Sequence, residues 1–307
     1  MKKYPQALGF RLGFVYLLLT ISAICVFKSN DAWTSAKAFA TSRLMPDLTA
    51  FASYQGGYAE ADQKIFADAK QYYEHIMKYS PPGADRYGAY SMLGFCNYYL
   101  GEKEKSYEYY QRAVEIAPEY FTLSYNLGAI SFKEGKYQDA MRFLLQALAP
   151  SKEEVFHFIT SSPIIFPFIQ HRKGEDLTRE LSERLRDAYR DTFVLLNQCC
   201  LHEKKYKIMR YNSLAAISMG LNADGVFTWQ KGVALYHLQN YVESLKNAQE
   251  LIALNPHAID AYRLLADSLS AMGSVEKAAL VTRKYMILQR SGEGESFNID
   301  EIELLLF

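Results

Sequence analysis

Apolar residues recur at three- and four-residue spacing along most of this chain, the period of a helix with one buried face. The first clear case falls in residues 58–80, which end at Pro81-Pro82-Gly83. Its apolar positions are Ile65, Ala69, Tyr72, Tyr73 and Ile76. We therefore expect residues 58–86 to contain an amphipathic helix that caps the N-terminal end of a helical array.

A longer period lies above the helical one. Leu93-Gly94 recurs 34 residues later as Leu127-Gly128. Counted from Tyr87, the large residues at positions 4, 7 and 24 are Tyr90, Leu93 and Tyr110, with small Gly94 and Ala113 at positions 8 and 27. Such a period predicts stacked helical hairpins in which small residues let paired helices approach and large residues fill the space between them.

The same register extends over two blocks of the chain. Residues 87–150 hold two units, and residues 191–290 hold a degenerate unit and two good ones. Turn residues fall where each first helix should end: Gly101-Glu102, Gly135-Lys136, Gln239-Asn240 and Gly273-Ser274. The unit counted from Asp191 is called degenerate because Gln198, Arg210 and Ile217 stand at its small-residue positions.

In these positions the chain resembles the tetratricopeptide repeat family. The resemblance implies an all-α fold, a right-handed solenoid of helical hairpins that binds other polypeptides. The first helix of each pair is then expected to line a concave groove. The groove residues carried over from the family positions are Tyr98, Tyr99, Tyr125, Asn126, Phe132, Trp229, Tyr236, His237 and Arg263.

The N-terminal segment predicts a membrane anchor. The uncharged run from Leu12 to Phe27 would be ~24 Å long as a helix, and extension back to Leu8 approaches the ~30 Å hydrocarbon core. Residues 1–30 are expected to hold one transmembrane helix, with a linker at 31–57. A cleaved signal peptide and a buried soluble helix are the alternatives.

Charge near the anchor favours neither orientation strongly, since three Lys or Arg residues precede the span and three follow it. The free amino terminus adds one positive charge to the first side. We therefore expect a cytoplasmic N-terminus and a repeat domain on the extracytoplasmic side.

Two segments fall outside the repeat register. Residues 151–190 combine an apolar patch, Ile164–Ile169, with an amphipathic helix, and are interpreted either as a packed insertion or as a docking or membrane-touching element. Residues 291–307 are polar and then apolar. This tail is expected to cover the last repeat or to enter a groove.

Composition excludes some classes of function. Lys plus Arg and Asp plus Glu number 34 each, so there is no basic field for nucleic acid.

The His202-Glu203 pair lacks the second histidine of a zinc-protease helix because Tyr206 stands there. Adjacent Cys199-Cys200 lack Cys-x-x-Cys spacing. We expect no enzyme activity, no cofactor and no metal.

With 24 Tyr and 18 Phe, the chain can supply aromatic contacts to a peptide. The leading hypothesis is a membrane-tethered scaffold that binds protein segments during assembly of envelope, secretion or pilus components. The alternative is a self-assembling structural protein, a homo-oligomer whose tail or insertion fills a neighbouring groove.

Overall fold

The computed structural model describes residues 63–79, 86–150, 154–155, 176–297 and 304–305. These residues form α-helices together with one isolated β-bridge, between Ala258 and Glu295. The chain divides into two compact units, residues 1–102 and residues 103–307.

The first unit contains two described helices, α1 (Gln63–Tyr79) and α2 (Arg86–Tyr99), which pack against each other. The ring of Phe66 stacks on that of Tyr99 at 5.0 Å between centroids and 12° between planes. Lys70 Nζ lies 2.8 Å from the Glu102 carboxylate. Helix α1 lies inside the segment predicted to cap the array.

The second unit is a succession of helices in which each packs against the next in sequence. Alternate helices also meet, α4 with α6, α6 with α8 and α8 with α10. The helices are α3 (Lys103–Ile116), α4 (Phe121–Lys133), α5 (Tyr137–Ala147), α6 (Asp176–His202), α7 (Tyr206–Ser218), α8 (Val226–His237), α9 (Tyr241–Leu254), α10 (Ile259–Ala271) and α11 (Val275–Ser291). This arrangement confirms the predicted all-α solenoid of helical hairpins.

Small residues lie where paired helices come closest, as the repeat period predicts. A Cβ atom added to Gly232 would lie 3.3 Å from Asn247 Cβ of its paired helix α9 and 2.6 Å from the Leu264 side chain of α10 in the next hairpin. One added to Gly128 would lie 2.7 Å from the Leu144 side chain of its paired helix α5. Ala140 is fully buried beside this contact. The close approach of α4 to α5 therefore requires the missing side chain at Gly128.

The turn inside each hairpin has one recurring geometry. Lys136 N donates to Ser131 O, and Gly135 N donates to Phe132 O, at 2.9 Å each. Equivalent bonds end α2, α6, α8 and α10. The residue at the turn has positive φ in all five cases: Gly101, Gly135, Lys204, Gln239 and Gly273. This is the Schellman ending that satisfies the last carbonyls of a helix.

The degenerate repeat has a register one residue earlier than the sequence predicts. Its left-handed residue, Lys204, lies 35 residues before Gln239, whereas Gln239 and Gly273 lie 34 apart. The residues that occupy the small-residue positions of this repeat are therefore Asn197, Met209 and Ala216, each 0% exposed. The predicted residues were Gln198, Arg210 and Ile217. The extra residue falls in the connection between α7 and α8, where no helix pairing is lost.

A buried polar network replaces part of the small-residue packing in this repeat. Asn197 Nδ2 donates to Ser213 Oγ at 3.0 Å and to Gln230 Oε1 at 2.8 Å. The three side chains lie on α6, α7 and α8, and all are fully buried. Because buried amides need partners, these bonds hold the three helices in one register.

Helix α6 continues from Asp176 to His202, so the predicted boundary at residue 190 lies inside one helix. The apolar patch at 164–169 and the predicted membrane segment at 8–27 lie outside the described residues. Across the part of the chain that the structure describes, no helix combines the length and the apolarity needed to cross a bilayer.

Gly128→Leu is expected to lower the free energy of unfolding by about 1–3 kcal/mol or more, because the new side chain must displace Leu144. Urea denaturation followed by circular dichroism measures this. In a Leu144→Ala background, the same change should cost less, since the space is then vacant. An equal cost in both backgrounds would contradict the assigned contact.

Candidate functional site

The chain's own C-terminal segment, described at residues 293–297 and 304–305, lies against the repeat helices of the second unit. Helix α11 ends at Ser291, and the next residue, Gly292, has a left-handed φ of 72°. Beyond it, Glu295 N donates to His257 O at 2.8 Å, and Ile259 N donates to Glu295 O at 2.9 Å. The segment thus runs parallel to the N-terminal approach of α10.

Side chains reinforce this first stretch. Asn255 Nδ2 donates to the Glu295 carboxylate at 2.8 Å, and His257 Nδ1 lies 3.0 Å from Glu293 O. Gly294 sits so close to α10 that an added Cβ would collide with the Ile259 side chain. The backbone direction of the segment is therefore fixed as it leaves α11.

Phe297 then reaches the helices that the repeat pattern places first in each hairpin. Its backbone N donates to Asp260 Oδ2 at 2.9 Å. Its ring stacks on Trp229 of α8 at 5.4 Å between centroids and 27° between planes. Trp229 and Phe297 are both partly buried against a cluster that includes Leu251 and Ala261.

The Asp260 carboxylate lies in a partly desolvated position. Burial raises its pKa above the usual range of an aspartate, while the hydrogen bond from Phe297 N and the charge of Arg263 oppose that shift. The hydrogen bond from Phe297 N therefore stabilises the charged form of the Asp260 carboxylate.

Asn126 of α4 holds the end of the segment by both of its amide atoms. Nδ2 donates to Leu305 O at 2.9 Å, and Leu305 N donates to Oδ1 at 2.8 Å. Nδ2 also donates to Tyr110 Oη at 3.0 Å, which fixes the amide plane. Asn126 is 0% exposed and Leu304 is 1% exposed. One side chain thus pairs with the peptide backbone of a single residue.

We call the surface defined by Asn126, Trp229 and Asp260 the peptide groove. Two of the predicted site residues, Asn126 and Trp229, contact the C-terminal segment directly. Tyr125 is next to Asn126 but is 1% exposed and lies near Phe121, so it is covered in this structure. Arg263 is exposed one helical turn beyond Asp260.

Three other predicted residues lie at the turn ends of the first helices. Phe132 contacts Tyr137, and Tyr236 contacts Tyr241, at 5.7 and 5.5 Å between ring centroids. His237 stacks on Tyr206 of the preceding hairpin at 4.3 Å, and burial lowers its pKa. His202 and Tyr137 stack in the same way at 4.1 Å. The two histidine–tyrosine stacks join one hairpin to the next.

Tyr98 and Tyr99 belong to the first unit, where their rings meet edge to face at 5.2 Å. Tyr99 also stacks on Phe66, so one face of its ring is already covered. Both side chains are half-buried.

The cysteines of the described residues lie in the helix core. Burial raises the pKa of Cys96 and of Cys199 to about 12 and that of Cys200 to about 11. At neutral pH these thiols are protonated and poorly nucleophilic. No group of three potential metal ligands occurs within the described ranges.

Comparison with known proteins agrees with this architecture. Residues 87–120 match the family model of the tetratricopeptide repeat. The sequence has no significant match among curated proteins.

Solved structures show the likeness over more of the chain. YrrB, described as a TPR protein with an unusual peptide-binding site, is 16% identical with a TM-score of 0.51, over 72% of this chain and 94% of YrrB. MamA is 13% identical with a TM-score of 0.50, over 73% of this chain and 100% of MamA. BtubC from P. vanneervenii is 14% identical with a TM-score of 0.50, over 81% and 98%. The chain therefore has a tetratricopeptide-type fold of helical hairpins.

The repeat pattern did not identify Phe297, Asp260 and Glu295 as site residues, because contacts between the tail and α10 follow no sequence period. One signal for them existed. An aromatic residue and a run of leucines follow a polar stretch after the last predicted helix, which is unusual for a solvated tail.

Phe297→Ala is expected to shift Trp229 fluorescence emission to longer wavelength, because removing the stacked ring exposes the indole to water. Trp33 is the other tryptophan of the chain, so the measurement uses a Trp33→Phe background. Ser296→Ala, at an exposed neighbouring position, is the control. An unchanged spectrum for Phe297→Ala would contradict the stacking.

Proposed function

We propose that this chain is a binding scaffold that holds an extended polypeptide segment along the peptide groove of residues 103–307. The observation that carries the proposal is the paired hydrogen bonding of Asn126 with the backbone of Leu305. A side chain that pairs with backbone N–H and C=O can hold many sequences in an extended conformation. Such pairing supplies position and direction, while apolar neighbours supply affinity.

The groove also offers an aromatic anchor site. Trp229 is partly buried and presents a ring face, here to Phe297. Large rigid rings contribute contact area at low cost in rotamer entropy and dominate many binding sites. The fold likeness to YrrB, whose description names a peptide-binding site, supports the same class of ligand.

The proposal includes a membrane tether. Residues 8–27 would anchor the chain, with the N-terminus cytoplasmic and the repeat domain extracytoplasmic. A tethered groove of this kind suits the recruitment of envelope, secretion or pilus components. The support is the apolar sequence itself and the charges that flank it.

Self-assembly is the second candidate. The observation that favours it is that a segment of this chain already fits the groove of this chain. A second copy presents the same segment, so exchange between chains would need no new contacts.

Site-specific photocrosslinking in cells tests the scaffold. A benzoylphenylalanine at Tyr236, half-buried on α8, is expected to capture a partner polypeptide. The matched control is Tyr211, which is 74% exposed on the second helix α7. Trp229→Ala should reduce the Tyr236 product about tenfold or more while leaving the helical content unchanged. Equal capture at both positions would count against the groove.

The tether is tested by extraction and proteolysis. The full chain is expected to stay in the membrane pellet after alkaline carbonate treatment, since an inserted apolar helix resists it. Protease added from the cytoplasmic side should leave residues 87–307 intact in sealed vesicles. Release by carbonate, or digestion from the cytoplasmic side, would disprove the tether or its orientation respectively.

A further inference from the structure

The C-terminal segment meets the peptide groove as a ligand does. Phe297 stacks on Trp229, and the Leu305 backbone bonds to Asn126. The two groove residues, Trp229 and Asn126, belong to separate hairpins. The contact of Leu305 with Asn126 links positions 179 residues apart in sequence. Neither contact belongs to the repeat packing that forms the helices.

We infer that the peptide groove selects a segment with an aromatic residue on Trp229 and, eight positions later, a backbone N–H and C=O paired with Asn126 and preceded by an apolar side chain, and that the chain's own C-terminal segment fills the groove until such a partner displaces it. This inference rests on the proposed function, because it names the ligand of the same groove.

The chemistry of each contact defines what a partner must carry. At Asn126 the amide pairs with backbone atoms, so any residue except proline can provide the donor. Leu304, next to the paired residue, is 1% exposed, so an apolar side chain is required at that neighbouring position. At Trp229 a flat ring gives the stacked contact that Phe297 makes.

The contacts are also of a kind that a partner can replace one for one. At Asn126, Trp229 and Asp260 the contact with the segment is made by a side chain of a helix, whereas Glu295, nearer α11, bonds to the backbone of His257 and Ile259. The two residues beside Phe297 and Gly294, Ser296 and Glu295, are exposed, so one side of the segment stays open to water. A competing segment can therefore exchange with the internal one without unfolding a helix.

Tethering makes the internal segment an effective competitor even if it binds weakly. A short connection within one chain gives an effective concentration of about 1 mM. If the free segment binds with a Kd of about 0.1 mM, the tethered segment raises the apparent Kd of a competing ligand about tenfold.

The test is a titration of fluorescein-labelled synthetic peptide, residues 293–307, into the full chain, followed by fluorescence anisotropy. The released variant is Phe297→Ala with Leu304→Ala, which weakens both apolar contacts of the internal segment. It is expected to bind the peptide about tenfold more tightly than the wild type. Ser296→Ala is the control and should bind as the wild type does.

Two further substitutions, each made in the released variant, test whether the peptide binds in the groove. Asn126→Ala and Trp229→Ala are each expected to weaken peptide binding about tenfold or more. Because Asn126 is fully buried, its variant is first checked for helical content, and Trp229→Ala, at a partly buried position, gives the independent reading. Peptide binding that neither change affects would overturn the groove as the ligand site.

The outcomes separate this inference from the proposed function. Equal peptide affinity in the wild type and the released variant would show that no internal competitor exists, while the scaffold proposal stands. A folded released variant that binds no peptide would overturn both. A dimeric wild type that becomes monomeric in the released variant would place the segment in a second copy, which overturns the internal arrangement.

Discussion

Two helices can pair only as closely as the atoms between them allow, and in this chain a hydrogen atom stands where a methyl group would touch a leucine. Gly128 against Leu144 sets that distance for the pair α4 and α5, and Gly232 against Leu264 sets the distance from α8 to α10 of the next hairpin. Once the pairs are close, the large buried residues of each hairpin fill the space on either side. The positions of Asn126 and Trp229 follow, because both lie on helices held by these contacts.

Much of the fold could be predicted from the sequence because the 34-residue period records helix pairing directly. The glycines, the alanines and the turn positions of the good repeats all lie where the period places them. In the degenerate repeat the observed register differs from the predicted register by one residue. Its register is set by the left-handed turn at Lys204, a residue type that gives no turn signal, and by buried Asn197, which reads as a surface residue.

The site was predictable only in part. Asn126 and Trp229 were found because the family positions mark residues on the first helix of each hairpin. Phe132, Tyr236 and His237 occupy such positions too, yet their rings contact tyrosines at the turn ends of the helices. The tail was expected to cover the last repeat or to enter a groove, but its contact residues could not be named, since Phe297 and Leu305 reach Trp229 and Asn126 through tertiary contacts that no local pattern encodes.

The one-residue shift of the degenerate repeat has a consequence for how such a chain can change. Each hairpin closes through its own turn, so its alignment is decided locally instead of by counting along the whole polypeptide. The connection between α7 and α8 has already absorbed an additional residue without disturbing α8 or α9. Linkers between hairpins are therefore the places where insertions and deletions can accumulate, whereas the same edit within a helix would rotate every buried side chain that follows.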